Sequence, residues 1–216
     1  MSTITTSRSR ESAKLDIISF RELSEADQST AAERVAAMIA NRDKEGALMI
    51  EFTPEEIMAR YLGVLACLSL DESDAPLIVG YVGILDPTIH YPNGGHSPQA
   101  MAEVNSLIVD RDYQQRGIGR ALLQTLTSAA LEKDIIPYAF CNSNSQSIAE
   151  SCGYRRAIPG DLPPNAYDLC ARCPNNPRKQ SSNMQHTNPT PRDLPRCCDT
   201  VMVYDDNHTI QNHAAA

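Results

Sequence analysis

Leu107-Ile108-Val109-Asp110-Arg111-Asp112-Tyr113-Gln114-Gln115-Arg116-Gly117-Ile118-Gly119-Arg120 is the stretch that decides how this chain reads. An apolar run enters a polar turn with two glycines, after which Ile118, Ala121, Leu122, Leu126 and Ala129 fall on one helical face. The first turn of a helix carries amide groups without intrahelical partners and a partial positive charge, so it attracts anions. Gly117 and Gly119 keep Cβ atoms off the approach to that backbone, and Arg116 and Arg120 can add charge-assisted contacts to phosphate oxygens. A dinucleotide fingerprint would have a third small residue where Leu122 stands, and a Walker loop would have Gly-Lys-Ser/Thr; neither is present. By itself, the Gly-Ile-Gly pattern also suits a plain tight turn from strand to helix.

Upstream, Met101 to Val109 reads as a strand, and Pro87 to Gln99, punctuated by Pro and Gly, as a loop. Val64 to Leu70 and Pro76 to Leu85 are apolar runs joined by Asp71-Glu72-Ser73-Asp74, the pattern of an antiparallel hairpin. Thr53-Pro54-Glu55-Glu56 starts a short helix running to about Leu62, with a capping hydroxyl, Pro in the first turn and early carboxylates. Asp27 to Arg42 is helical, and residues 15–23 form a first strand. Downstream, the glycine turn opens a helix to about Lys133. A strand Ile135 to Cys141, a helix Ser143 to Ser151, a strand Tyr154 to Ile158 and a last strand Thr200 to Tyr204 follow. The order βααβββαβαββ is that of an α+β, or mixed α/β, single domain spanning 15–206. Residues 1–14 are expected to be disordered, 159–199 to form a long Cys- and Pro-containing loop before the last strand, and 207–216 to fray.

The net charge of −8 argues against nucleic acid as the partner, because phosphate backbones call for clustered Lys and Arg. No window resembles the ~20 apolar residues of a membrane span. The polar N-terminus lacks the apolar core of a secretory signal, while Arg8 and Arg10 leave a short transit peptide open. The expectation is a cytoplasmic protein without membrane association, for which a homodimer is left open.

Residues 107–123 resemble motif A of the GNAT superfamily of N-acetyltransferases: an apolar strand, Gln/Arg-x-x-Gly-x-Gly/Ala filled by Gln114, Gly117 and Gly119, then an apolar helix. Asn142 to Tyr154 looks like the family's motif B helix, which usually ends in Leu-Tyr-Glu-x-x-Gly-Phe. The resemblance implies a mostly antiparallel sheet flanked by helices, whose motif A strand carries a bulge and splays from its neighbour. It implies acetyl-CoA as acetyl donor. Leu107, Ile108 and Val109 would pair with pantetheine, Gln114, Gln115, Arg116, Gly117, Ile118, Gly119 and Arg120 would hold the diphosphate, and Asn142 would contact the pantetheine arm.

The reaction so implied is direct attack of a primary amine, on a small molecule or a protein, on the thioester. An amine of pKa ~10 is protonated at neutral pH, so a base or a water chain must take a proton. Glu103 is the candidate base and Asn105 a candidate to orient the amine or a water; strand alternation places Glu103, Asn105 and Leu107 on one face. The oxyanion would be met by a backbone N–H freed by the bulge near Leu107 or Ile108. Ala149 stands where many members have the tyrosine that protonates the thiolate, which leaves water as the proton source and keeps open an alternative function, a degenerate acyl-CoA-binding sensor or scaffold. Tyr138 and Cys152 are weaker substitutes, and Tyr154 reads as a core ring. His90 and His96 lie in the loop before the motif A strand, near the expected acceptor site. Glu51 beside Phe52 would suit a cationic amine, or an ordinary helix start.

Of seven cysteines, Cys67, Cys141 and Cys152 sit in apolar segments, while Cys170, Cys173, Cys197 and Cys198 fall in the long loop. Cys170 and Cys173 have the spacing of a zinc knuckle, which Cys197, Cys198 or His186 would complete. A reversible disulfide and free thiols are the competing readings.

Overall fold

The computed structural model describes residues 14–44, 49–69, 76–91, 97–158, 160–172 and 200–205. Its strands are β1 (Lys14–Ser19), β2 (Leu62–Ser69), β3 (Leu77–Ile84), β4 (Thr88–His90), β5 (Gln99–Val109), β6 (Ile135–Cys141), β7 (Tyr154–Arg156) and β8 (Thr200–Tyr204). The helices are α1 (Glu25–Lys44), α2 (Pro54–Met58), α3 (Ile118–Leu131) and α4 (Ser143–Ser151). The eight strands form one sheet in the order β1-β2-β3-β5-β6-β8-β7, with β4 on the free part of β5; only β5 and β6 run parallel. This is the mixed, mostly antiparallel α+β architecture expected.

Burial follows from side-chain periodicity. Ile118, Leu122, Leu123, Leu126 and Ala130 recur at helical spacing and press α3 onto one face of the sheet, against Val64, Ala66, Val82, Ile84, Ala102 and Val104. Each fully buried leucine on that stripe contributes about 2 kcal/mol. The opposite face packs Ala31, Ala32, Val35 and Ile39 of α1, with Phe52 and Ile57, against Leu65, Cys67, Tyr81 and Ile108. α2 begins as its sequence requires: Thr53 Oγ1 accepts from Glu56 N–H and the Glu56 carboxylate accepts from Thr53 N–H, with Pro54 in the first turn.

Two differences from the expected elements have physical causes. β4 forms in a segment whose Pro and Gly content reads as loop. β3 pairs β5 only from Val104 to Val109, so the front of β5 would be a bare edge, and Thr88, Ile89 and His90 cover it opposite Met101, Ala100 and Gln99. The described part of the long loop, 160–172, is packed rather than solvated. Ala166 is fully buried with Tyr138, Met101 and Val203, and Tyr167 packs edge-on to Phe140. Asp161 is buried, accepting from Arg155 Nη1 at 2.6 Å and from Ile158 N–H at 2.9 Å. Among the described residues, no helix is long and apolar enough to cross a membrane.

Candidate active site

The sheet opens where β5 and β6 part. Their pairing ends at Val104 opposite Ala139, yet β5 continues to Val109 and β6 to Cys141. Ser106 has φ 56°, the left-handed region, and the register against β3 slips at the same place: Gly83 faces Asn105 and Tyr81 faces Ile108. β5 therefore carries one residue too many, and Ser106 and Leu107 have no partner in either neighbouring strand. The gap is the inner part of a groove of ≈ 850 Å³ that runs from Phe52 and Glu103 past the splayed strands to the start of α3.

The turn after β5 is held from several sides. Asp110 N–H donates to Val79 O at 2.8 Å, its carboxylate takes Arg34 at 2.7 Å, and the Gln114 side chain donates back to Val109 O at 3.0 Å. Gln115 (φ 59°) and Gly117 (φ 79°) both take left-handed backbone, which bends the chain into α3. No side chain caps α3, so the amides of Ile118, Gly119 and Arg120 face the groove without intrahelical partners. A Cβ on Gly117 would meet nothing within 4 Å, because that position opens onto the groove. On Gly119 it would touch Ile148 Cδ1 at 3.5 Å, an ordinary contact.

Of the residues expected to bind the donor, Leu107, Ile108, Val109, Gln114, Gln115, Gly117, Ile118, Gly119, Arg120 and Asn142 all line this groove. Arg116 does not: its guanidinium donates to Asp112 O at 2.9 Å and stacks 5.3 Å from the Tyr113 ring centre. Asn142 lines it with its carboxamide oxygen already engaged, capping α4 through Asn144 N–H and Ser145 N–H, both at 3.0 Å. Only its amide N–H groups remain to offer a ligand.

The expected single face for Glu103, Asn105 and Leu107 is broken by the bulge. Leu107 packs with the α3-side core, whereas Ile108 joins Tyr81 on the α1 side. Glu103 stands beside its register neighbour Tyr138 at the apex of the gap, 7 % exposed, and burial pushes its pKa up to about 8 against an opposing pull from Arg60. Burial likewise raises Tyr138, whose phenol also feels Glu103, and holds the Cys141 thiol up at about 11. Ala149 is fully buried on the groove wall and brings no proton chemistry.

At one end of the groove Arg60 lies 4.0 Å over the Phe52 ring, and Arg172 approaches the same ring at 5.1 Å. Arg172 also pairs with Glu56 at 2.6 Å and donates to Glu51 O at 3.0 Å. The Phe52 ring is thus covered by the protein's own arginines, and Glu51 meets Arg172 through its backbone oxygen. His90 does not line the groove; its Nε2 donates to Gly160 O at 2.9 Å. His96 lies outside the described residues.

The sequence pointed to no groove wall in residues 160–172, yet Ala166, Leu169 and Cys170 form one, opposite Met49 and Ile50. Ala166, Tyr167 and Leu169, apolar residues close together in a polar loop, were the available signal. Of the cysteines considered for zinc, Cys170 sits in a 3₁₀ turn (Asp168–Ala171), while Cys173, Cys197, Cys198 and His186 lie outside the described residues. Among the described residues, no three His, Cys, Asp or Glu side chains gather as a metal site, so zinc finds no support.

Comparison with known proteins agrees with this geometry. The family model described as "Acetyltransferase (GNAT) family" matches residues 27–154. Similar solved structures include a GNAT-family acetyltransferase from Staphylococcus aureus Mu50, at 17 % identity and a TM-score of 0.52, covering 88 % of this chain and 98 % of that one. Another is N-acetylglutamate synthase from Neisseria gonorrhoeae, complexed with coenzyme A and N-acetyl-glutamate, at 16 % identity and a TM-score of 0.52. That match covers 90 % of this chain but only 35 % of the synthase. At such identities the likeness is one of fold. No curated protein matches the sequence.

Proposed function

The chain belongs to the GNAT acetyltransferase family, and on that premise we propose that it transfers the acetyl group of acetyl-CoA to a primary amine. The observation that carries this is the unpaired edge of β5 between Asn105 and Val109, running straight to the uncapped amides of α3. An extended chain with amide groups can pair with that edge, and a diphosphate can sit on the Ile118, Gly119 and Arg120 amides. A donor laid along this path ends beside Glu103.

Acetyl-CoA supplies an activated acyl thioester, and the residues at the apex divide the remaining work. Glu103, with a pKa of about 8, is a stronger base than an ordinary carboxylate and is better matched to an ammonium of pKa ~10. It takes a proton from the amine as the nitrogen forms its bond to the acetyl carbon. The Leu107 N–H, at the bulge where β5 has no register partner in β3 or β6, would donate to the oxygen on which negative charge develops. The C–S bond then breaks, and water in the open groove protonates the leaving thiolate, since Ala149 cannot.

Two measurements test this reading. Acetyl-CoA at ~1,000 times its dissociation constant should stabilise the fold by about 4 kcal/mol, and Gly117→Trp, whose ring would fill the cradle, should abolish the rise in Tm. Free-thiol release from acetyl-CoA should then appear with at least one amine of a broad panel. Binding without turnover for any amine would assign an acyl-CoA-binding module instead, the reading that Ala149 keeps open.

A further inference from the structure

On the α1 side of the sheet, next to Glu103, lies a group of buried polar atoms that the reaction above does not use. Arg60 is 8 % exposed, and neither its Nε nor its Nη2 has a hydrogen-bond partner. The Tyr81 hydroxyl and Asn105 Nδ2 are buried and unpartnered as well. The three residues converge on one region. Tyr81 lies with its ring against Gly63 and its hydroxyl against Gly83, the register neighbour of Asn105, and Arg60 feels the charges of both Tyr81 and Glu103. Every one of these atoms can donate a hydrogen bond.

An unpartnered guanidinium is costly to bury, and four orphaned donors in one place are rarely left so without a role. What would satisfy them is an acceptor-rich anion. Space exists on both sides of this group: a cavity of ≈ 400 Å³ bounded by Arg60, Arg21, Phe20, Ile57 and Gly63, and the main groove, which Asn105 and Glu103 line. Arg60 is held flat on Phe52, which itself lines the main groove, so this cavity and the Glu103 end of the groove share a wall. The charge balance points the same way. Arg172 is neutralised by Glu56, whereas Arg60 and Arg21 make no ion pair among the described residues.

We propose that the acceptor is an amine that also carries a carboxylate, of amino-acid size, with Arg60 binding the carboxylate while the amine faces Glu103. Arg60 would receive the two carboxylate oxygens on its Nε and Nη2 edge, the planar pairing that guanidinium geometry favours. Asn105, which lines the groove beside Glu103, would supply a further donor. The inference rests on the acetyltransferase reading but concerns only the acceptor, so the two can fail separately.

The test compares α-amino acids with their carboxamides at matched free-amine concentration, in the wild-type protein and in Arg60→Met. Loss of a hydrogen-bonded charge partner predicts kcat/KM about 10- to 100-fold lower for the carboxamides, and a similar loss for the acids in Arg60→Met, which should no longer distinguish the two. Equal rates on acid and carboxamide, or a preference that survives in Arg60→Met, would overturn the proposal. Because Arg60 has no hydrogen bond at Nε or Nη2 to lose, and methionine keeps an apolar and sulfur contact with the Phe52 ring, Arg60→Met should melt no lower than wild type; a fall of more than a few degrees would assign Arg60 a structural role and overturn it too. Should acetyl-CoA bind without turnover, the melting shift produced by N-acetyl amino acids decides the matter. A shift that needs the carboxylate and vanishes in Arg60→Met supports the proposal, and the absence of any shift refutes it.

Discussion

Glu103→Gln exposes the buried carboxyl through stability alone, whatever the acceptor. Burial raises the Glu103 pKa from 4.5 to about 8, with Arg60 opposing more weakly. The folded pKa lies above the unfolded one, so as pH rises the unfolded chain releases this proton first. The stability associated with the protonated carboxyl is complete below about pH 4.5, declines from there to about pH 8, and is lost above it. A rise from 4.5 to about 8 corresponds to an upper limit of about 5 kcal/mol. Glutamine keeps the shape and cannot ionise. Urea unfolding at half-unit steps from pH 4.5 to 8.5 should therefore show Glu103→Gln gaining several kcal/mol on the wild type across that window. If the difference between the two proteins stays constant with pH, the carboxyl is not held protonated by burial and the base assignment loses its basis. In turnover, wild-type kcat/KM should rise with pH towards about 8, while Glu103→Gln should lose roughly 10²- to 10⁴-fold and that inflection.

Gly117→Ala should cost about 1 kcal/mol in urea unfolding through its φ of 79° alone, since a Cβ there meets nothing within 4 Å, and should weaken acetyl-CoA binding in the same preparation. Gly83→Ala would set a Cβ 2.5 Å from the hydroxyl of the fully buried Tyr81; a loss of about 1–3 kcal/mol is expected, relieved when Tyr81→Phe is added. Tyr154→Phe strips Thr127 Oγ1 of its 2.8 Å partner inside the core and should lower stability by about 1–3 kcal/mol, measured by chemical denaturation.

The elements that sequence made legible are those whose signal is local. The cradle needed only an apolar strand, two glycines and an amphipathic helix in succession, and α2 announced itself through Thr53, Pro54 and Glu56. Core placement of Cys67, Cys141 and Tyr154 followed from the apolar company each keeps. What sequence did not disclose depends on residues distant in the chain. Phe52 looks like an open platform until Arg60 and Arg172 arrive from different segments to cover it. Arg60 carries no motif at all. Its interest lies in what it lacks, partners for two buried nitrogens, and an unmet hydrogen bond leaves no mark in a sequence. The β4 strand was hidden for a similar reason, because it answers the bare edge of β5 rather than its own composition.

Ser106 shows how one such non-local feature organises the site. Nothing in Asn105-Ser106-Leu107 signals a break, and no glycine marks the positive φ. Had β5 kept its alternation, Leu107 would share the face of Glu103 and Asn105, and the ladder to β6 could run on past Val104. The extra residue reverses both outcomes together. It turns Leu107 into the α3-side core, leaves Ser106 and Leu107 without register partners in either neighbouring strand, and keeps Glu103 and Asn105 on the α1 side with Tyr81 and Arg60. The backbone donor thus faces the gap between the strands while the carboxyl group lines the same groove near Phe52, on the side where Arg60 lies. Donor and acceptor sides of the site meet at one bulge, so a change that straightened β5 there would be felt in acetyl-CoA binding and acceptor recognition at once.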